Sequence, residues 1–297
     1  MSKLPHIVCY GEILWDVFPD GKKLGGAPLN VALRLHSFGA NTSIISALGK
    51  DALGKTTLEA LKEKDFPTTY IQQSKRPTGQ VTVTLDDSGS ARYDIQKDAA
   101  WDHIAATPEA IEEVKKADAF VFGSLALRET YNQAQFEALV TEAKYTVFDL
   151  NLRDPHYDLD VVLSLMEIAN CIKLNDEELE LIVTLLDLEK ESLEEELKAV
   201  AKATNTDTVC VTLGPDGAML YHNKTIYTQV GFPTKVVDTV GAGDSFLAAL
   251  IFGLISGEAP EDSLEVAAAM GSLVAGKAGA NAVVTNDEID DLLEGGY

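Results

Sequence analysis

Short apolar runs of strand length recur along the chain, at 6–10, 43–48, 119–122, 146–150, 171–174 and 208–213. Most are separated by segments whose apolar residues repeat with helical spacing, such as 29–38, 56–64, 131–143 and 192–203. A strand buried on both faces needs a helix to cover it, and a helix between two such strands carries the chain back over the sheet. The alternation therefore predicts βαβ units around a mainly parallel sheet, an α/β fold. Two stretches break the rhythm: 13–18, running into Pro19-Asp20-Gly21, and the pair 80–85 and 91–95 around Asp86-Asp87-Ser88-Gly89. The second pair alternates as VTVTL and has Asp/Gly turn chemistry, so it reads as a hairpin. Strands inserted at about 11–24 and 79–98 predict a small sheet lying over an active site as a lid. From 241 to 277 the residues are small and apolar, predicting two closely packed helices joined at 257–262. No linker divides the chain, and a single domain over 1–297 is expected.

Charge narrows the function. The 24 Lys and Arg against 47 Asp and Glu leave a formal net charge of −23, which excludes a broad nucleic-acid or anionic-membrane surface because such partners need clustered cations. At 46% hydrophobic the chain can still bury a large core. Its longest apolar run, 246–255, is interrupted by Gly253 and is about half the ~20 residues a spanning helix requires. With no signal-peptide core at the N-terminus, a cytoplasmic enzyme is expected. Cys9, Cys171 and Cys210 each sit in an apolar run without CxxC spacing, as reduced buried thiols do. The five histidines show no paired-ligand spacing, so no zinc site is expected.

Three glycine clusters compete for a phosphate. Gly49-Lys50-Asp51-Ala52-Leu53-Gly54-Lys55-Thr56 matches the P-loop pattern GxxxxGK[ST], and Val147-Phe148-Asp149 would be its acidic strand end. Against it, Asp51 would place a carboxylate in the phosphate cradle. Asp238-Thr239-Val240-Gly241-Ala242-Gly243-Asp244 precedes a long apolar helix, whose free N–H groups and positive end suit an anion. Phe246 stands where GxGxxG needs glycine, so a dinucleotide fingerprint fails. An acid at such a turn would repel phosphate unless it accepts a proton from the attacking nucleophile; otherwise Asp244 only caps the helix. In Gly25-Gly26-Ala27-Pro28-Leu29-Asn30 the paired glycines allow close approach to the backbone, and Asn30 offers donor and acceptor to hydroxyls.

Together these motifs resemble the ribokinase-like sugar kinases of the phosphofructokinase-B type, over essentially the whole chain. The first signature is met by Gly25-Gly26-Ala27-Pro28-Leu29-Asn30-Val31-Ala32 with Gly39 and Gly49 following. The second is met by Asp238 to Asp244. Asn175-Asp176-Glu177-Glu178 matches the family's N-x-x-E, and Thr212-Leu213-Gly214-Pro215-Asp216-Gly217 its T-x-G-x-x-G nucleotide loop. The family accounts for Gly49 and Gly54 through its own G-x-D-x-x-G segment, leaving Lys55-Thr56 to coincidence. Gly11-Glu12-Ile13-Leu14-Trp15-Asp16 and Gly123-Ser124-Leu125-Ala126 look most like fructokinase, and Asp149-Leu150-Asn151-Leu152-Arg153 resembles the D-x-N-x-R of fructokinases and 2-keto-3-deoxygluconate kinases. The usual D-P-N is D-L-N here, no Trp follows Arg153, and the loop 276–284 lacks a late proline.

The resemblance implies a ribokinase-like three-layer fold with a small β-sheet lid, and a reaction in which Asp244 takes a proton from a sugar's primary hydroxyl as it attacks the γ-phosphate of ATP. Amides of Gly241, Ala242, Gly243 and Asp244 would receive the developing charge. Asp16, Gly26, Asn30, Arg92 and Arg153 would bind sugar; Asn175, Glu178, Thr212, Gly214 and Gly217 would bind nucleotide. Glu178 would orient Mg2+ through water, and Asp238 would help hold a monovalent cation, K+. Local chemistry offers plainer roles: a turn acid for Asp16 and for Asp238, an exposed strand residue for Arg92, a capping box for Asn175 with Glu178, and a tight turn for 214–217. Fructose is the expected sugar, with 2-keto-3-deoxygluconate as the alternative because paired arginines suit a carboxylate. A P-loop NTPase and a non-catalytic sugar sensor are the readings from other classes. The family also implies a homodimer through the lid strands.

Overall fold

A computed structural model describes residues 4–19, 21–85, 91–189 and 191–295. The expected turns at Asp20 and at Asp86-Asp87-Ser88-Gly89, and the side chains of 83–93, lie outside the described residues. Nine strands form the large sheet: β1 (His6–Tyr10), β4 (Asn41–Gly49), β5 (Ile71–Ser74), β8 (Ala119–Gly123), β9 (Thr146–Asp149), β10 (Cys171–Asn175), β11 (Thr208–Thr212), β12 (Ala218–His222) and β13 (Thr225–Gln229). Their spatial order is β13-β12-β11-β10-β9-β8-β1-β4-β5. Pairing is parallel from β5 to β11 and antiparallel across β11-β12-β13. Four further strands, β2 (Leu14–Phe18), β3 (Gly21–Gly25), β6 (Gly79–Leu85) and β7 (Ala91–Ile95), form a separate small sheet in the order β3-β2-β6-β7. Its outer pairs are antiparallel and its central pair, β2 with β6, is parallel.

Strand side chains alternate between two cores. Val8 and Tyr10 of β1 enter one with Phe120, Phe122 and Phe148, while Ile7 and Cys9 enter the other with Ile44, Val121 and Val147. The first core is closed by α3 (Pro108–Lys116), α4 (Thr130–Val140), α5 (Leu159–Glu167), α6 (Asp176–Leu185) and α7 (Leu193–Thr204). The second is closed by α1 (Ala27–Ser37), α2 (Ala52–Glu63) and α8 (Ala242–Ser256), and α9 (Pro260–Ala275) and α10 (Asn286–Leu293) extend that layer. The result is three layers, with helices on both faces of the sheet.

Some elements escape the periodicity. β3 is the string Gly-Lys-Lys-Leu-Gly, whose first three residues are exposed, so no apolar pattern marks it. The β12–β13 hairpin contributes no helix to the alternation. The small-residue segment forms α8 and α9 as expected: a Cβ built on Gly253 would lie 2.5 Å from Ser263 Oγ, so only glycine permits that approach. The three cysteines are free and buried, and burial pushes their thiols up. Among the described residues no helix is long and apolar enough to cross a membrane.

Candidate active site

The ends of β9, β10 and β11 face the start of α8, at the carboxyl edge of the parallel sheet where open α/β folds place ligands. Gly241 is the N-cap of α8 at φ 79, and a Cβ there would come within 2.5 Å of Ala280 Cα. Glycine is required both by the left-handed backbone and by the loop packed on it. Ala242 N donates to Thr239 O at 3.2 Å and closes the turn. Of the amides expected to face a phosphoryl group, that of Ala242 is thus already engaged. Those of Gly243 and Asp244, in the first turn of a helix without a side-chain cap, make no backbone hydrogen bond among the described residues.

Asp244 Oδ2 accepts from Asn30 Nδ2 at 2.8 Å, joining two motifs more than two hundred residues apart in sequence. Burial pushes the Asp244 carboxyl up to about 6, and the nearby Asp149 adds to this; Asn30, Lys173 and Arg153 pull the other way. Gly26, at φ 114, lets the chain turn into α1 directly against Glu12, whose carbonyl oxygen would lie 2.3 Å from an added Cβ. Asp16 on β2 packs against Gly25, where a Cβ would meet Asp16 Oδ2 at 2.7 Å. Burial raises its pKa while Arg153 and Lys23 oppose the rise. Arg153 is exposed, donates to Leu152 O at 3.1 Å, and acts electrostatically on Glu12, Asp16 and Asp244 alike. Arg153 thus links Asp16 and Asp244 electrostatically, and the hydrogen bond from Asn30 adds the start of α1 to the same neighbourhood. Arg92, on β7, pairs opposite Thr84 of β6, with its side chain outside the described residues.

A cavity of about 290 Å³ adjoins the turn, lined by Thr212, Gly214 and Gly217 from one side and by Ala242, Gly243 and Phe246 from the other. Gly217 at φ 105 would collide with Gln229 O, 2.0 Å from an added Cβ, so glycine lets β12–β13 close over the loop. Asn175 and Glu178 realise the reciprocal capping box: Glu178 N donates to Asn175 Oδ1 (2.8 Å) and Asn175 N to Glu178 Oε2 (2.9 Å). Glu178 Oε1 additionally accepts from Leu152 N at 2.7 Å. The Leu152 bond ties the D-x-N-x-R loop to α6; burial pushes the Glu178 carboxyl up, and the charge of Lys173 opposes the rise.

The P-loop match is a closed structural turn. Asp51 caps α2 through Gly54 N (2.8 Å) and also accepts from Thr78 N (2.7 Å) and Thr78 Oγ1 (2.8 Å). A Cβ on Gly54 would lie 2.1 Å from Gly49 O, leaving no room for a phosphate between them. Lys55 is 78% exposed and faces Glu59, one helical turn on. Asp238 is likewise engaged: it accepts from Val240 N and Gly279 N, both at 3.1 Å, and from Lys23 Nζ at 3.4 Å.

Several charged groups here were not singled out in the sequence. Lys173 Nζ is buried, bonds Asp149 Oδ1 at 3.1 Å, and lies 3.4 Å from where a Cβ on Gly243 would be. Burial works against its charge, but Asp149, Glu178 and Asp244 hold its pKa above the usual value. The available signal was a lysine inside the apolar strand Cys-Ile-Lys-Leu-Asn. Glu12 is buried with Oε2 unpartnered; burial pushes it up to about 7, and the charge of Asp244 adds to the rise. Asn281 and Arg34, discussed below, carry no sequence signal beyond a polar residue in a helix face or loop.

The pfkB family carbohydrate kinase model matches residues 6–287. A fructokinase of Solanum tuberosum is 29% identical, with 98% of this chain and 96% of that protein covered. A 2-dehydro-3-deoxygalactonokinase of Haloferax volcanii is also 29% identical, covering 98% and 97%. Among solved structures, the fructokinase of Xylella fastidiosa with bound ATP superposes with a TM-score of 0.85 over 98% of both chains at 20% identity. The family match spans the residues from Asp16 to Asp244 and beyond, and the fold that brings them together is shared: the chain belongs to the pfkB family of carbohydrate kinases.

Proposed function

We propose that the protein transfers the γ-phosphoryl group of ATP to a primary hydroxyl of fructose. The observation carrying this is the pairing of Asp244 with the amides of Gly243 and Asp244 at one helix start: a base beside an anion cradle, opening onto the cavity of about 290 Å³. The hydroxyl oxygen bonds to the γ-phosphorus while the bond from that phosphorus to the bridging oxygen breaks, ADP departs, and the hydroxyl proton passes to Asp244. Help of this kind is worth about 10² to 10⁴ in rate. The two amides and the α8 dipole receive charge on the moving group, and Lys173 adds a fixed positive charge beneath Gly243.

Thr212, Gly214 and Gly217 form the wall for the nucleotide base, and the Solanum and Xylella relatives, both named fructokinases, support the choice of reaction. The donors near the Asn175 cap are oxygens, which suit Mg2+. Among the described residues no cluster of three or more His, Cys, Asp or Glu could hold a metal alone. Glu178 Oε1, Glu178 Oε2 and Asn175 Oδ1 each accept one backbone amide, and the lone pair left on each oxygen would order the waters of an Mg2+ carried by the nucleotide phosphates, whose charge the ion would neutralise. Asp238 accepts from two amides and already faces a cation, the Lys23 ammonium.

Fructose is favoured over a keto-acid sugar by charge. Among the described side chains, Glu12, Asp16 and Asp244 already act on the exposed Arg153, and Arg128 is spent on Asp102 through two bonds of 2.8 Å; the side chain of Arg92, the other arginine of the expected pair, lies outside them. A neutral ketose adds no carboxylate to that set. A coupled assay across fructose, other ketoses, aldoses and 2-keto-3-deoxy acids tests this, and a kcat/KM higher on the keto acid than on fructose would overturn it. A dimer through the small sheet belongs to the same proposal, and sedimentation velocity measures it.

A further inference from the structure

The face of α1 that carries Asn30 carries Arg34 one turn later, and both reach the same two segments. Asn281 Nδ2, in the loop 276–284, donates to Asn30 Oδ1 at 2.9 Å, and Asn30 Nδ2 donates to Asp244 Oδ2 at 2.8 Å. Arg34 Nη2 donates to Ala282 O at 2.7 Å, and its Nε donates to Ser245 Oγ at 3.2 Å. The contacts form two rungs: Asn281–Asn30–Asp244 and Ala282–Arg34–Ser245. Arg34 is 5% exposed and, among the described residues, pairs with no carboxylate. A buried cation held by neutral groups is retained at an energetic disadvantage, which points to a positioning role. Gly241 packs directly on Ala280, so the loop and the α8 turn are also in backbone contact.

Polarity in the upper rung is forced. An ionised Asp244 only accepts, so Asn30 must turn its NH₂ toward it; its oxygen then faces Asn281, which must donate. We propose that Asn281 is a positioning residue that fixes the Asn30 amide with its donor toward Asp244, and that Arg34 holds the loop in register for it. This rests on Asp244 being the base. The rung takes Oδ2 and leaves Oδ1 for the incoming hydroxyl. The charged groups facing Asp244 are Glu12 after β1, Asp149 on β9, Arg153 in the loop after β9 and Lys173 on β10, and among the described residues none of them is hydrogen-bonded to Asn281.

The test is a set of pH–rate profiles on full-length Asn281→Leu and Asn281→Asp, with MgATP binding by calorimetry confirming the fold. Leu keeps the volume without the donor; Asp keeps the shape and only accepts. Both are expected to lower kcat about tenfold and to move the acid limb up by about one pH unit, with nucleotide affinity unchanged. Arg34→Lys, which keeps the charge but cannot span Ser245 and Ala282, is expected to give the same signature. Asn281→Leu within twofold of the parent, with its acid limb unmoved, overturns the proposal and leaves Asn281 as packing. Asp244→Asn, run alongside, separates the two failures: if it retains turnover, the base assignment itself is wrong.

Discussion

A carboxyl whose pKa is raised by burial is a better proton acceptor than free aspartate and a worse anion to keep folded. Both consequences are measurable at Asp244. Because the base must be ionised, kcat/KM should fall tenfold per pH unit below about 6 and level off above it. Asp244→Asn should lower turnover by about 10² to 10⁴ while raising the melting temperature at pH 7.5. The sign follows from linkage: a carboxyl with a raised folded pKa opposes folding once it is ionised, and a neutral amide that can still accept from Asn30 removes that penalty. Differential scanning fluorimetry beside the kinase assay checks both. Lys173 makes the opposite case. Removing its ammonium as Lys173→Met should cost about 10² to 10³ in kcat and leave Asp149 buried without its partner, destabilising by roughly 3–5 kcal/mol. Adding Asp149→Asn should recover the stability and leave turnover low, as urea melts and single-turnover rates would show.

At the level of elements, the turn from 49 to 54 shows how a phosphate motif and a structural motif diverge. Asp51 links α2 to Thr78 through three hydrogen bonds, including the cap to Gly54. Burial pushes its carboxyl up, but the bonds from Gly54 and Thr78 more than offset this and its pKa is lowered. The stability it contributes is present above the carboxylate's ordinary pKa and is lost as pH falls through the lowered value. Asp51→Ala should destabilise by about 1–3 kcal/mol, whereas Lys55→Ala should leave both stability and kinase activity within experimental error. Chemical denaturation and the kinase assay measure both. A large activity loss confined to Lys55→Ala would restore a P-loop. The GxxxxGK[ST] string could not reveal this alone, because Thr78, which holds the Asp51 carboxylate in place, comes from the loop before β6, well outside the string.

Over the whole molecule, a net charge of −23 repels an anionic nucleotide, and the local positive potential of the α8 turn and Lys173 must overcome that field. Raising ionic strength from low salt to about 0.15 M shortens the Debye length to ~8 Å. We expect kcat/KM for MgATP to rise a few-fold over that range while kcat/KM for fructose stays flat, in steady-state assays with each substrate varied. The layered fold was legible in residue order because strand and helix periods are local properties: the runs at 6–10 and 43–48 and the helix pattern at 29–38 between them appear directly as β1, β4 and α1. So were the glycines at 26, 217 and 241, since a positive φ or a close approach excludes other residues. The pairing of Asp244 with Asn30, the burial of Lys173 beneath Gly243 and the reach of Asn281 and Arg34 were not legible. Proton affinity and hydrogen-bond partners depend on which distant groups share a low-dielectric space, and only the folded chain brings residues 12, 30, 149, 173, 244 and 281 into it.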